Sequence, residues 1–175
     1  MTKKINIQGK KVILSNFQET DISKKYLNWL NDPEVVKFSK QRFINHDFFS
    51  SKNYFDSFIG SKNLFISIKL SEGNQMIGTM TVYFKNHNAV DVGIMIGDKS
   101  KWGRGYGKDA WNSLLVWLEN ELNIVKITAG TLASNTGMLK LIKESGMLLE
   151  SIKKNHEIVD NISVDVLYFS KFKSQ

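Results

Sequence analysis

Residues 91 to 108 read Asp91-Val-Gly-Ile-Met-Ile-Gly-Asp-Lys-Ser-Lys-Trp-Gly-Arg-Gly-Tyr-Gly-Lys108. Val92, Ile94 and Ile96 alternate with Asp91, Gly93 and Met95, the two-residue period of a strand with one apolar side. Three glycines follow at alternate positions, Gly103, Gly105 and Gly107. Ala110, Trp111, Leu114, Leu115, Leu118 and Leu122 then recur at helical spacing. The stretch reads as strand, glycine turn, helix. Glycine lets a ligand approach the main chain, and the first turn of a helix carries unpaired N–H groups at the positive end of its dipole. That combination suits an anion such as a pyrophosphate. The competing reading is a turn that uses glycine for geometry alone.

Upstream, Ala89–Ile96 is the third strand of a meander. Leu64, Ile66, Ile68 and Leu70 alternate, Ser71-Glu72-Gly73-Asn74 turns, and Met76–Phe84 runs on before Lys85-Asn86-His87-Asn88 turns again. Before it lie a strand at Lys11–Leu14, a helix capped by Thr20-Asp21 through about Leu30, a turn at Pro33, and a helix over His46–Ile59 closed by Gly60. Downstream, the helix over Gly105–Leu122 is followed by a strand at Val125–Leu132 and a helix at Asn135–Glu144. Two strands, Met147–Lys153 and Ser163–Phe169, complete a mixed α/β fold: a sheet with helices on both faces.

The 175 residues are 42% hydrophobic and 23% charged, which fits one domain spanning 1–175. With no cysteine, disulfides, a thiol nucleophile and Cys-ligated zinc are excluded. His46, His87 and His156 lack metal-ligand spacing, so no metal is expected. Twenty-four basic against 17 acidic side chains give +7. The lysines are scattered, which favours a phosphorylated small molecule over nucleic acid as the anionic partner. The charged N-terminus has no apolar core behind it, and no apolar run nears the ~18 residues of a membrane span. A soluble cytoplasmic protein is expected.

A Walker loop is excluded because Asp109 follows Gly107-Lys108, and a dinucleotide fingerprint because the spacing is Gly-x-Gly-x-Gly after a meander. Trp102-Gly-Arg-Gly-Tyr-Gly107 instead resembles the acyl-CoA pyrophosphate loop, Gln/Arg-x-x-Gly-x-Gly/Ala, of the GNAT superfamily of N-acetyltransferases. It is similar to the Rim-type branch, the ribosomal-protein N-terminal acetyltransferases. Ile77-Gly-Thr, Ala133-Ser-Asn135 and Glu144-Ser-Gly146 extend the resemblance over nearly the whole chain. It implies a mostly antiparallel central sheet and acetyl-CoA as co-substrate.

Residue by residue, the resemblance implies that main-chain groups of Met95 and Ile96 pair with pantetheine. Trp102, Gly103, Arg104, Gly105, Tyr106, Gly107 and Lys108 form the pyrophosphate loop. Asn135 touches the cofactor arm or, on its own chemistry, caps a helix. Asp91 takes the place of a family glutamate that acts as general base; its plain alternative is a solvated or paired carboxylate. The family's proton-donating Tyr is Ile142 here, and Gly130 replaces an acidic residue frequent in the Rim branch, so no general acid is assigned. Arg42, Phe43 and His46 fall in the helix pair that shapes the acceptor pocket. The expected acceptor is a primary amine, on a nucleotide-linked amino sugar in preference to a protein N-terminus, with Arg42 and His46 meeting the phosphate. Polyamines are disfavoured, and a homodimer is left open. A catalytically silent CoA-binding module and a basic nucleic-acid-binding protein are the other classes.

Overall fold

The computed structural model describes residues 4–173, so Met1–Lys3, the start of the stretch read as no leader, lie outside the described residues. Two strands open it, β1 (Asn6–Gln8) and β2 (Val12–Asn16), joined by a tight turn at Gly9. The sequence showed only the second. The Thr20-Asp21 cap proves to lie in a 3₁₀ turn (Glu19–Asp21), and α1 (Lys24–Leu30) is capped by Ser23, whose Oγ accepts from the Tyr26 N–H at 3.2 Å. After α2 (Pro33–Val36), a 3₁₀ turn at Lys40–Phe43 leads to α3 (Phe48–Asp56). That helix is shorter than expected at both ends: a capping box of Asp47 and Ser50 starts it at Phe48, and it stops at Asp56 with Ser57 as its C-cap.

The meander lies where the alternation puts it: β3 (Leu64–Leu70), β4 (Met76–Phe84) and β5 (Ala89–Ile96). Then come α4 (Tyr106–Glu121), β6 (Lys126–Leu132), α5 (Thr136–Glu144), β7 (Leu148–Val159) and β8 (Ile162–Phe172). The last two strands outrun expectation. Asp160 and Asn161 adopt the positive φ of a two-residue hairpin turn, and β7 absorbs a bulge in which Asn155 sits at φ 47°. Asp165 holds that bulge by accepting from the Asn155 N–H (2.9 Å) and Lys154 Nζ (2.7 Å).

The sheet order is β1-β2-β3-β4-β5-β6-β8-β7, and every pairing is antiparallel except β5 with β6. The fold class read from the sequence is the one observed. One face packs Met80, Val82, Val90 and Val92 against Trp111, Leu114, Leu115 and Leu118 of α4 and Ile142 of α5. The other face meets α1 and α3 through Phe17, Tyr26, Trp29, Phe58 and Phe65, with the Phe17 and Phe65 rings stacked at 4.2 Å. Among the described residues, no helix is long and apolar enough to cross a membrane.

Candidate active site

Strands β5 and β6 pair at only three positions, Ala89 with Lys126, Val90 with Ile127 and Asp91 with Thr128, and then part. Beyond this fork β6 keeps β8 on its other side, so both strands turn an unpaired edge into the opening. Burial records the parting: Val90 and Val92 are buried, while Ile94 and Ile96 on the same face are only half-buried. In an antiparallel pair, alternate residues direct both main-chain groups to the same neighbour. The Gly97 N–H bonds to the Ile77 carbonyl on β4, and the Met95 carbonyl lies against Gly78. Met95 therefore turns its main chain toward β4, which corrects the expectation that it lines the opening. Ile94 and Ile96 face the fork instead. The Ile96 carbonyl accepts from Trp102 Nε1 at 2.7 Å, which ties the strand end to the glycine turn.

That turn is built as the glycines require. Gly103 (φ 68°) and Gly105 (φ 83°) occupy the left-handed region, where a Cβ is costly. Gly105 is the N-cap of α4 and offers no side chain to the orphan amides of the first turn. Two residues missed in the sequence complete the turn. Lys11 Nζ donates to the Arg104 carbonyl at 2.9 Å, and Asp109 accepts from the N–H groups of Lys10, Lys11 and Val12 at 2.7–3.1 Å. On its far side the turn is braced by α1 and α2. Lys25 bonds Asp98 at 3.1 Å, Lys99 bridges Asp32 and Glu34 at 2.8 Å each, and Gly97 lies flat against the Trp29 ring. Lys108 pairs with Glu144 at 2.9 Å, leaving its N–H in the first turn.

Asp91 stands where the fork closes, on the face away from α4. Thr128 Oγ1 donates to its Oδ1 at 2.7 Å, and Tyr83, directly opposite on β4, has its hydroxyl 2.8 Å from that of Tyr54. Burial pushes the Asp91 carboxyl above its ordinary value, against the opposing effects of the Thr128 hydrogen bond and the Lys85 charge. A half-buried carboxylate of raised basicity is suited to hold a proton from an amine.

The acceptor-side residues separate. Arg42 is paired within the protein: Nη2 bonds Glu157 Oε2 at 3.0 Å on β7, and Nη1 bonds the Ser39 carbonyl at 2.7 Å. Its guanidinium also lies 4.2 Å from the ring centre of Phe43, which is 70% exposed. His46 exchanges main-chain bonds with the Asn31 side chain, and its Nε2 is buried without a hydrogen-bond partner. Asn135 caps α5, its Oδ1 accepting from the Met138 N–H at 3.1 Å. At Gly130 the Tyr168 ring leans across the strand, with Cε1 3.1 Å from where a Cβ would be. The Ile142 side chain, where the resemblance leads one to expect a tyrosine, is fully buried.

Comparison with known proteins agrees with this geometry. The family model of the acetyltransferase (GNAT) domain matches residues 11–148. An uncharacterized N-acetyltransferase, p20, of Bacillus licheniformis is 26% identical over 118 residues, 66% of this chain and 65% of that protein. The chain spans 65% and 31% of the lengths of the first two curated relatives it matches. Spermidine N-acetyltransferase from Vibrio cholerae, solved with CoA and spermine, superimposes with a TM-score of 0.81 at 16% identity, covering 93% of this chain and 95% of that one. Ribosomal-protein-S5-alanine acetyltransferase from Vibrio fischeri gives 0.79 at 15% identity, covering 97% of both. Sheet order, glycine turn and the match over residues 11–148 lead to one conclusion: the chain belongs to the GNAT acetyltransferase family.

Proposed function

We propose that this protein is an acetyl-CoA-dependent N-acetyltransferase that passes the acetyl group to a primary amine by direct attack, both substrates being bound together. The observation that carries the reading is the fork between β5 and β6 that ends at a glycine turn with unfilled first-turn amides. An extended chain fits the open main-chain edge at Ile94 and Ile96, and a pyrophosphate fits the amides of Arg104 to Lys108. Thioester chemistry comes with the co-substrate when bound. The chain's own residues orient it, keep its reactive end at the closed part of the fork, and supply Asp91 to take the ammonium proton at its carboxylate. An amine of pKa about 7.7–8.0 is mostly protonated at neutral pH, so a base raises the reactive fraction. Positioning contributes more.

The acceptor we propose is a protein N-terminus or a nucleotide-linked amino sugar. The preference for the sugar rested on the +7 charge and on Arg42 with His46; the pairing of Arg42 with Glu157 weakens one of these supports, and we place the N-terminus ahead. A panel of ribosomal-protein N-terminal peptides, nucleotide amino sugars and spermidine, assayed for CoA release, tests this. Turnover with peptides is expected, and turnover with none of the amines despite tight acetyl-CoA binding would replace the enzyme by a silent CoA-binding module. The burial of Ile142, where the family places its proton donor, is the observation behind that second reading.

A further inference from the structure

We infer that Lys11 is a pyrophosphate ligand delivered to the glycine turn by the β1–β2 hairpin, and that Asp109 positions it. The inference rests on the reading of the turn as a CoA site. Lys11 lies 93 residues from Arg104 in the chain, yet its ammonium reaches the turn: 2.9 Å to the Arg104 carbonyl and 5.5 Å to the Tyr106 ring centre. It is also 3.6 Å from the point where Gly105 would carry a Cβ. An ammonium has three donors, and the carbonyl uses one. Lys101 stands 5.9 Å from the same Tyr106 ring, so two cations gather at the first residue of α4.

Asp109 explains how the lysine is held there. A carboxylate one turn inside an anion-binding helix end would by itself oppose a phosphate. Here its oxygens are occupied: Oδ1 accepts from the Lys10 N–H at 3.1 Å, and Oδ2 from the N–H groups of Lys11 at 2.7 Å and Val12 at 3.1 Å. The hairpin approaches so closely that a Cβ on Gly9 would come within 2.5 Å of Asp109 Oδ2 and 3.0 Å of Ser113 Oγ. Helix α4 thus grips the main chain of the residue whose side chain returns to the start of the same helix. The acid serves as an anchor for the cation.

Calorimetric titration with CoA and with dephospho-CoA, which keeps the pyrophosphate and lacks the 3′-phosphate, tests both halves. Binding by the wild-type protein is the precondition; wild type that binds neither overturns the CoA-site reading, and this inference with it. Given that binding, Lys11→Met is expected to weaken both ligands about tenfold, a deficit that shrinks as salt is raised. Unchanged affinity overturns the role of Lys11 and leaves the CoA site standing. A loss confined to CoA also overturns it, since Lys11 would then serve the 3′-phosphate. Asp109→Asn is expected to weaken both ligands similarly and to add nothing on top of Lys11→Met; additive losses overturn the positioning role. Gly9→Ala, which pushes the turn off Asp109, carries the same expectation and serves if Asp109→Asn fails to fold.

Discussion

Alanine at Gly105 and alanine at Gly107 separate the geometry of the turn from its use as a cradle. Gly105 sits at φ 83°, where an L-residue costs about 1–2 kcal/mol. The added Cβ meets Lys11 Nζ at 3.6 Å, an ordinary contact, so sterics contribute little. For a chain of 175 residues, 1 kcal/mol corresponds to roughly 3 °C in melting temperature. Gly105→Ala should therefore melt about 3–6 °C lower and, with a methyl group where phosphate oxygens approach the main chain, lose most of its acetyl-CoA affinity. Gly107 lies inside the first turn of α4 without a positive φ, and a Cβ there meets Ile96 Cγ1 at 3.4 Å. Its alanine variant should keep its affinity and gain up to ~0.5 kcal/mol from helix propensity. Differential scanning calorimetry and isothermal titration on the three proteins measure both quantities. Gly105→Ala with wild-type melting and affinity would refute the argument, because neither the strain nor the close approach would then exist.

Asp91→Asn should lower turnover about 10²-fold with acetyl-CoA affinity unchanged, read from initial rates and titration. Because burial raises the Asp91 pKa, its stabilising contribution is complete below the ordinary value of 3.8 and lost as pH rises through the folded-state value. The variant should accordingly melt no lower than wild type at pH 7, and any advantage should close toward pH 4. Arg42→Ala breaks a mostly buried pair with Glu157 and should cost about 1–3 kcal/mol by chemical denaturation, with KM for every acceptor in the panel unchanged. Gly97→Ala places a Cβ 2.5 Å from Trp29 Cγ and should cost about 1–3 kcal/mol of overpacking, visible as a lower denaturation midpoint.

The meander was legible because apolar residues hold every second position from Leu64 to Leu70 and from Val90 to Ile96, between turn residues. Helix α4 was legible for the same reason at the other period. In the segment from Phe17 to Asp56 the two longer helices were legible but their bounds were not: both are short and begin at caps, Ser23 and Asp47, which compete with equally good polar residues nearby. Strand β1 has three residues and one buried side chain, too little for a pattern. At the site, glycines at 103 and 105 could be read because a positive φ selects the residue type. The partners of Arg42 and Asp109 could not. Glu157 lies 115 residues from Arg42, and the groups bound by Asp109 are main-chain amides, which every residue carries.

The fork divides the sheet into a five-stranded part, β1 to β5, and a three-stranded part of β6, β8 and β7, laced together by three residue pairs. A sheet so joined has a seam in its interior. The amide protons of Ile94 and Ile96 lie along it and should exchange quickly with solvent in the free protein, while those of Val82 or Phe169, on strands inside either part, exchange slowly. A ligand that lays its amides along the seam stitches the two parts together, so its binding should slow those protons and raise the melting temperature of the whole sheet in proportion to the logarithm of its concentration. Occupancy of the site would then be readable, without any knowledge of the acceptor, as the disappearance of a weak line through the middle of the molecule.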